Sequence, residues 1–151
     1  MASTDLQSLV RVISFGFGHT GALDEATGEP LVPPQADITL DLRRSLKNPH
    51  HDPAMRYLTG LDEVVYEHVR NTPGAELLAH NTALAAHTLL GQARLAAFTV
   101  ATGCAGGRHR AVGMARMVHG ALMEYSRAGG YQVELVHRDV HRDVLPSSKH
   151  V

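Results

Sequence analysis

The chain has 151 residues, 44% hydrophobic and 19% charged, a net charge of -1 and one cysteine, Cys104. That is enough chain for one domain with a buried core, and it excludes a disulfide-built secreted fold, so a reducing cytoplasm is the expected compartment. Met1 to Ser8 shows no signal-peptide pattern, no apolar run approaches the roughly 20 residues of a membrane span, and with 5% aromatics and no Trp few side chains can stack on bases.

Residues 1–8 carry no periodic pattern and are expected to be disordered. Leu9 to Phe15 is short, apolar and rich in β-branched residues, and Gly16 and Gly18 stop it, which predicts a strand. Thr20 to Gln35, with its glycines and prolines, predicts an irregular loop. Ala36 to Leu42 reads as a second strand, and Arg43 to Thr59 as another irregular stretch with turn signals at Asn48-Pro49 and Asp52-Pro53. A helix capped by Thr59 or Asp62 is expected to run to Asn71, with Leu61, Val64, Val65, His68 and Val69 on its inner face. Thr72-Pro73 opens the next, whose buried stripe is expected to be Leu77, Leu78, Leu84, Ala85, Thr88 and Leu89. Leu95 to Ala101 is a near-continuous apolar run, the pattern of a strand covered on both faces. A third helix follows residue 110, with Ala111, Met114, Ala115, Val118, Ala121, Leu122 and Tyr125 at helical spacing, and ends at Ala128-Gly129-Gly130. Tyr131 to Val136 alternates as a last strand, and residues 143–151 read as a flexible tail.

Strands alternating with helices predict an α/β fold: a single domain over residues 9–142, with a mostly parallel four-stranded sheet and about three flanking helices. In a parallel sheet all strand C-termini share one edge, and ligands bind in the crevice outside it. Four segments follow the four strands: Gly16-Phe17-Gly18-His19, Asp41-Leu42-Arg43-Arg44, Gly103 to Arg110, and His137-Arg138-Asp139. Gly, Arg and His dominate them.

The run Gly103-Cys104-Ala105-Gly106-Gly107-Arg108-His109-Arg110 joins a buried strand to an amphipathic helix. Glycines let consecutive amides turn inward as an anion-binding nest, and a helix N-terminus adds unpaired N–H groups. With Arg108, His109 and Arg110 supplying charge, a phosphate ester is the expected guest. Asp41, Arg43, Phe17, His137 and Arg138 are the expected neighbours of that site. Residues 1–103 hold 7 Lys or Arg against 11 Asp or Glu, whereas residues 104–151 hold 7 against 4. The charge therefore turns positive where this loop begins.

No G-x-x-x-x-G-K-[ST] occurs, and the glycines miss the G-x-G-x-x-G spacing, so neither a Walker loop nor a dinucleotide fingerprint is present. Cys104 and Arg110 do have the Cys-x5-Arg spacing of cysteine-dependent phosphatases. Gly103 stands where those enzymes place a histidine, however, and Ala111 where they place Ser or Thr. Cys104 is thus a weak nucleophile candidate, and the alternative is a small buried thiol lining a binding loop. No metal site and no cofactor is indicated. Arg43, Arg44, Lys47, Arg56 and Arg142 form a candidate patch for RNA phosphates.

Gly103-Cys104-x-Gly106-Gly107-x-His109-Arg110 resembles the G-C-T-G-G-[KQ]-H-R-S motif of the C-terminal domain of the RapZ family of RNase adapter proteins. Ile13 to Phe17 resembles that domain's opening strand. Asp41-Leu42-Arg43 with Asn48-Pro49-His50 resembles its D-x-R…N-P-[HY] segment, Leu58-Thr59-Gly60 its L-T-G, and Tyr131 with His137-Arg138-Asp139 its closing strand and H-R-[DT]. The resemblance implies a domain that binds a phosphorylated amino sugar, glucosamine-6-phosphate, and in enteric bacteria a small regulatory RNA. It also implies a homo-oligomer. The family's N-terminal half is a P-loop nucleotide-binding domain, to which nothing in these residues corresponds. Ala105 and Ala111 depart from the motif by removing two hydroxyls, Arg108 replaces Lys or Gln, and the Thr20–Gln35 loop is longer. The reading is therefore a binding or sensor module for a sugar phosphate or nucleotide, with an RNA-binding adapter as the alternative and a cysteine phosphatase behind both.

Overall fold

The computed structural model describes residues 7–146, so the expectations for residues 1–6 and 147–151 lie outside the described residues. Four strands form one all-parallel sheet: β1 (Leu9–Gly16), β2 (Ile38–Asp41), β3 (Ala97–Cys104) and β4 (Gln132–His137), in the order β2-β3-β1-β4. Three helices connect them, α1 (Glu63–Arg70), α2 (Ala75–Gln92) and α3 (Arg110–Gly129). The α/β class and the four-stranded sheet are as expected, and every strand pair is parallel.

Handedness places the connections. The steps β2 to β3 and β3 to β4 run in the same direction across the sheet, whereas β1 to β2 runs the opposite way. Right-handed crossovers therefore put α1, α2 and α3 on one face and the 17–37 connection on the other. On the helix side, Val10 and Val12 of β1 and Phe98 and Val100 of β3 share one core with Met114, Val118 and Leu122 of α3. Phe15 and Ala101, which the strand alternation turns to the opposite face, are also fully buried, as expected of strands covered on both sides.

The chain flanking the sheet is tied to it. The Gln132 amide donates to the Ser8 carbonyl, and a Cβ at Gly18 would collide with the Leu145 side chain.

One helix is rotated from its expected face. Leu77, Leu84 and Leu89 are 64%, 42% and 46% exposed, and Thr88 is exposed as well. The buried stripe of α2 is instead Ala75, Ala79, Thr82, Ala83, Ala86 and Leu90. This stripe packs in the common core with α3, and small side chains let two helix backbones approach closely. Helical spacing fits both stripes. Volume at the interface decides between them, and hydrophobicity alone favours the wrong one. On α1, likewise, Val65 and Val69 are buried while Val64 is exposed, as is Leu61 just ahead of the helix.

This rotation has a direct test. Ala83→Leu overfills the α2–α3 interface and lowers stability by about 1–3 kcal/mol, whereas Leu84→Ala changes it by less than about 1 kcal/mol in chemical denaturation.

Candidate functional site

The strand register brings the four segments together. Asp41 pairs with Gly103, Gly103 with Phe15, Gly16 with Cys104, and Ser14 with His137. Along the edge the order is therefore Asp41–Arg44, Gly103–Arg110, Gly16–His19, then His137–Asp139.

The loop after β3 is a closed turn, and its concavity holds a sulfur. β3 runs on through Gly103 and Cys104, which were expected in the loop, so the turn itself is Ala105 to His109, and Gly103 to Gly107 are all buried. The amides of Gly107 and Ala111 donate to Cys104 Sγ at 3.3 and 3.4 Å. Two amides expected to face an oxyanion thus point at the thiol. The Gly113 amide bonds the His109 carbonyl, which leaves the amides of Arg110 and Val112 in the first turn of α3 with no protein acceptor among the described residues. Thr102 Oγ1 donates to the Ala111 carbonyl and closes the turn.

The loop is pressed against β1. Gly107 has φ +71, the left-handed region that glycine occupies without strain. A Cβ there would sit 2.7 Å from Gly16 N, and one on Gly16 would sit 2.5 Å from Gly106 C. Both glycines exist because two backbones touch. His19 Nε2 bonds the Gly106 carbonyl at 3.1 Å from the other side.

A fully buried carboxylate holds this contact. Asp139 accepts from the Gly16 amide at 2.8 Å, from Arg138 Nη2 at 2.9 Å and from Arg142 Nε at 2.8 Å. Burial pushes its pKa up, but the Arg138, Gly16 and Arg142 bonds outweigh that and hold it below the ordinary carboxylate value.

The expected cations divide by their partners. Arg108, partly buried, donates to the carbonyls of Tyr57, Leu58 and Arg142. It clamps the 57–58 segment to the loop and the C-terminal segment. Arg138 is committed to Asp139 and to the Val32 carbonyl. Arg142 is also bound to Asp139. Arg43 forms a bidentate pair with Asp41, which lowers the Asp41 pKa through that hydrogen bond, and its guanidinium lies 3.8 Å from the centre of the Phe17 ring. Arg56 donates to the His50 carbonyl. Of the five patch residues proposed for RNA, Arg44 and Lys47 alone make no ion pair or side-chain bond among the described residues.

Arg110 and Arg108 each keep a buried Nε without a partner, and Arg110 is the more deeply buried of the two. Arg110 is 2% exposed, and its Nη1 donates to the carbonyls of Leu42 and Arg43 at 2.9 and 3.1 Å. No carboxylate lies within salt-bridge distance of it among the described residues. Burial works against its charge, while Cys104 and Asp41 favour it. A buried cation without a counter-ion costs several kcal/mol. An anion beside it would recover much of that.

Five histidines are held below the ordinary imidazole value. His109 is buried, its Nε2 bonds the Met55 carbonyl at 3.0 Å, and burial lowers its pKa to about 4. His137 shares a 2.7 Å hydrogen bond with Ser14 Oγ, and burial, then Arg116, His119 and His141, lowers its pKa to about 4 as well. Burial also lowers His19, His50 and His119. No cluster of three metal-ligating side chains occurs among the described residues.

Asp139 and His19 emerge only from the structure as the groups that hold the loop. The His-Arg-Asp triplet was the signal for the first. His19 lies in the segment singled out after β1, but its role does not show there, because its acceptor, the Gly106 carbonyl, is 87 residues away.

Comparison with known proteins agrees with the motif. The family description "RapZ C-terminal domain" matches residues 8–141. A protein of Thermus thermophilus named "Nucleotide-binding protein" is 41% identical over 139 residues, 89% of this chain and 44% of the relative. One from Rhodospirillum centenum with the same name is 46% identical over 114 residues, 74% of this chain and 33% of its own length. A third, from Thermobifida fusca, is 36% identical over 135 residues, 87% of this chain and 40% of the relative. The chain thus spans less than half the length of these relatives. Among the described residues, no helix is long and apolar enough to cross a membrane.

Two tests follow. Gly107→Ala forces a Cβ onto the β1 backbone at a left-handed φ and lowers stability by about 2–4 kcal/mol in chemical denaturation, whereas Gly91→Ala, where a Cβ meets nothing, leaves stability equal or higher. The pH dependence has a defined sign. His109 and His137 have folded pKa values near 4 against an unfolded value of 6.5, so the unfolded chain binds more protons between those limits. Stability is full above pH 6.5 and falls toward pH 4, by about 2 kcal/mol or more between pH 7 and 5. His109→Gln reduces that slope in denaturation curves. Asp139 adds a further loss only at lower pH, as its depressed folded pKa is reached.

Proposed function

The chain belongs to the RapZ C-terminal domain family, and from that premise we propose that it is a binding module for a small phosphorylated ligand, a sugar phosphate or a nucleotide. The observation that carries this reading is Arg110: a buried guanidinium with a free Nε and no carboxylate partner among the described residues, at the mouth of α3. A phosphate seated there would take Arg110 Nε and the first-turn amides of Arg110 and Val112, favoured by the positive end of the helix dipole. Arg43, half-exposed and stacked on Phe17, flanks the same mouth. Asp41 beside it accepts donors such as an amine or hydroxyl, which suits an amino sugar phosphate such as glucosamine-6-phosphate.

The name shared by the relatives, "Nucleotide-binding protein", supports a nucleotide as the other member of the ligand class. With no Walker loop in these residues, a nucleotide bound by this domain would be held through its phosphate at Arg110. An RNA role gains less: three of its five proposed cations are already engaged, and two exposed side chains give only weak, salt-sensitive attraction. The phosphatase reading also gains little, because the Cys104 thiol is buried and occupied by two amides.

Calorimetry with glucosamine 6-phosphate, glucose 6-phosphate, AMP and inorganic phosphate tests the proposal. At least one phosphate ester binds saturably and raises the melting temperature, as a ligand of the native state must. Arg110→Gln weakens that binding at least tenfold. Arg43→Ala, at a half-exposed position that leaves the core intact, weakens it severalfold. Absence of saturable binding by every ester, or unchanged affinity in folded Arg110→Gln protein, contradicts it.

A further inference from the structure

At the opposite end of the sheet, where the strands begin, lies a second concavity of about 430 Å3. That volume is in the range of small-molecule sites, about 300–1,000 Å3. It is bounded by the C-terminal ends of α2 and α3 and by the start of β1, with Ser8 at its rim. None of the residues of the Gly103–Arg110 loop borders it.

Its walls are ordered. The Tyr131 hydroxyl lies 2.8 Å from His87 Nδ1, and the His87 ring stacks on Tyr125 with centroids 4.8 Å apart. Burial, followed by Tyr125, raises the Tyr131 pKa, so the phenol keeps its proton. Leu90 and Leu95 give an apolar wall. Gly129 exists for this packing, since a Cβ there would sit 2.6 Å from the Tyr131 ring. Gly91 opens the other side, where a Cβ would meet nothing within 4 Å.

The charge is one-sided. Among the described residues no Asp or Glu lines the concavity, and Arg94 does. Arg94 sits at φ +51, a conformation uncommon for residues other than glycine. It makes no ion pair or side-chain hydrogen bond among the described residues. The carbonyls of Leu89, Gly91 and Leu90 in the last turn of α2 already accept from Ala93, Arg94 and Leu95, which limits their repulsion of an anion. We infer that this concavity is a second ligand site, separate from the phosphate loop, for a small carboxylate with an apolar body. Its carboxylate pairs with Arg94, its body lies against Leu90 and Leu95, and the Tyr131–His87 pair supplies the polar contact at depth.

The test uses the full chain at neutral pH and 3-phenylpropionate as the probe, with 3-phenylpropanol as its uncharged analogue, read by calorimetry and ligand-observed NMR. The acid binds saturably and the alcohol at least tenfold more weakly. Arg94→Asn, which keeps a residue tolerant of positive φ, loses at least tenfold. Gly91→Phe fills the space and abolishes binding while circular dichroism and the melting temperature stay near those of the parent. Inorganic phosphate does not displace the acid, so failure here is independent of the loop reading. No saturable binding, equal affinity for acid and alcohol, displacement by phosphate, or full binding in either variant overturns the inference.

Discussion

The Asp139 carboxylate sets the arrangement on which the site depends. A carboxylate with no exposure to water survives as an anion only if charged donors surround it. Here the donors are two arginines from its own segment and the amide at the end of β1. The bond to Gly16 fixes where β1 stops relative to β4. Gly107 then packs against both Gly16 and Asp139, and His19 holds Gly106 from the far side. The glycine-bearing loop is thereby wedged between fixed groups, and α3 starts from it at a defined place. Arg110, the first residue of that helix, is delivered into a buried position it would not reach from a flexible turn.

Charge at this edge is organised by satisfaction. Arg43, Arg138 and Arg142 have carboxylates, and Arg108 has three carbonyls. These contacts brace the 57–58 segment, the long β1–β2 connection and the C-terminal segment around the loop. Arg110 has two carbonyls and no anion. This pattern of partners leaves two buried guanidinium atoms at this edge without an acceptor, the Nε of Arg108 and of Arg110, and Arg110 is the more deeply buried. The same pattern explains why a basic cluster in the sequence yields so little free positive surface.

Much of the fold was legible because it depends on local pattern. The apolar run Leu95 to Ala101, the β-branched run Leu9 to Phe15 and the glycine stops that follow them are local signals, and parallel pairing follows from their alternation with helices. The loop was legible because strand, glycines, basic residues and helix coincide there. The orientation of α2 was not legible: alanine and leucine stripes both have helical spacing, and choosing between them requires knowing how close α3 comes. The fates of Arg108, Arg138 and Arg142 were only partly legible: Asp139 lies next to Arg138 and three residues before Arg142, but the other acceptors are backbone carbonyls 34 to 106 residues away that carry no sequence mark. The turning of two loop amides to Cys104 is likewise a matter of three-dimensional closure. The spacing Cys-x5-Arg is compatible with an open cradle and with the closed turn observed.

Ligand binding at this edge, as proposed, requires the buried guanidinium at the start of α3 to receive an anion. Amide chemical-shift mapping during titration with glucosamine 6-phosphate measures this most directly. Saturating shifts confined to Gly103–Val112 and Arg43 are the predicted result. A loop that stays silent, or shifts that appear instead around Arg44 and Lys47, would contradict it.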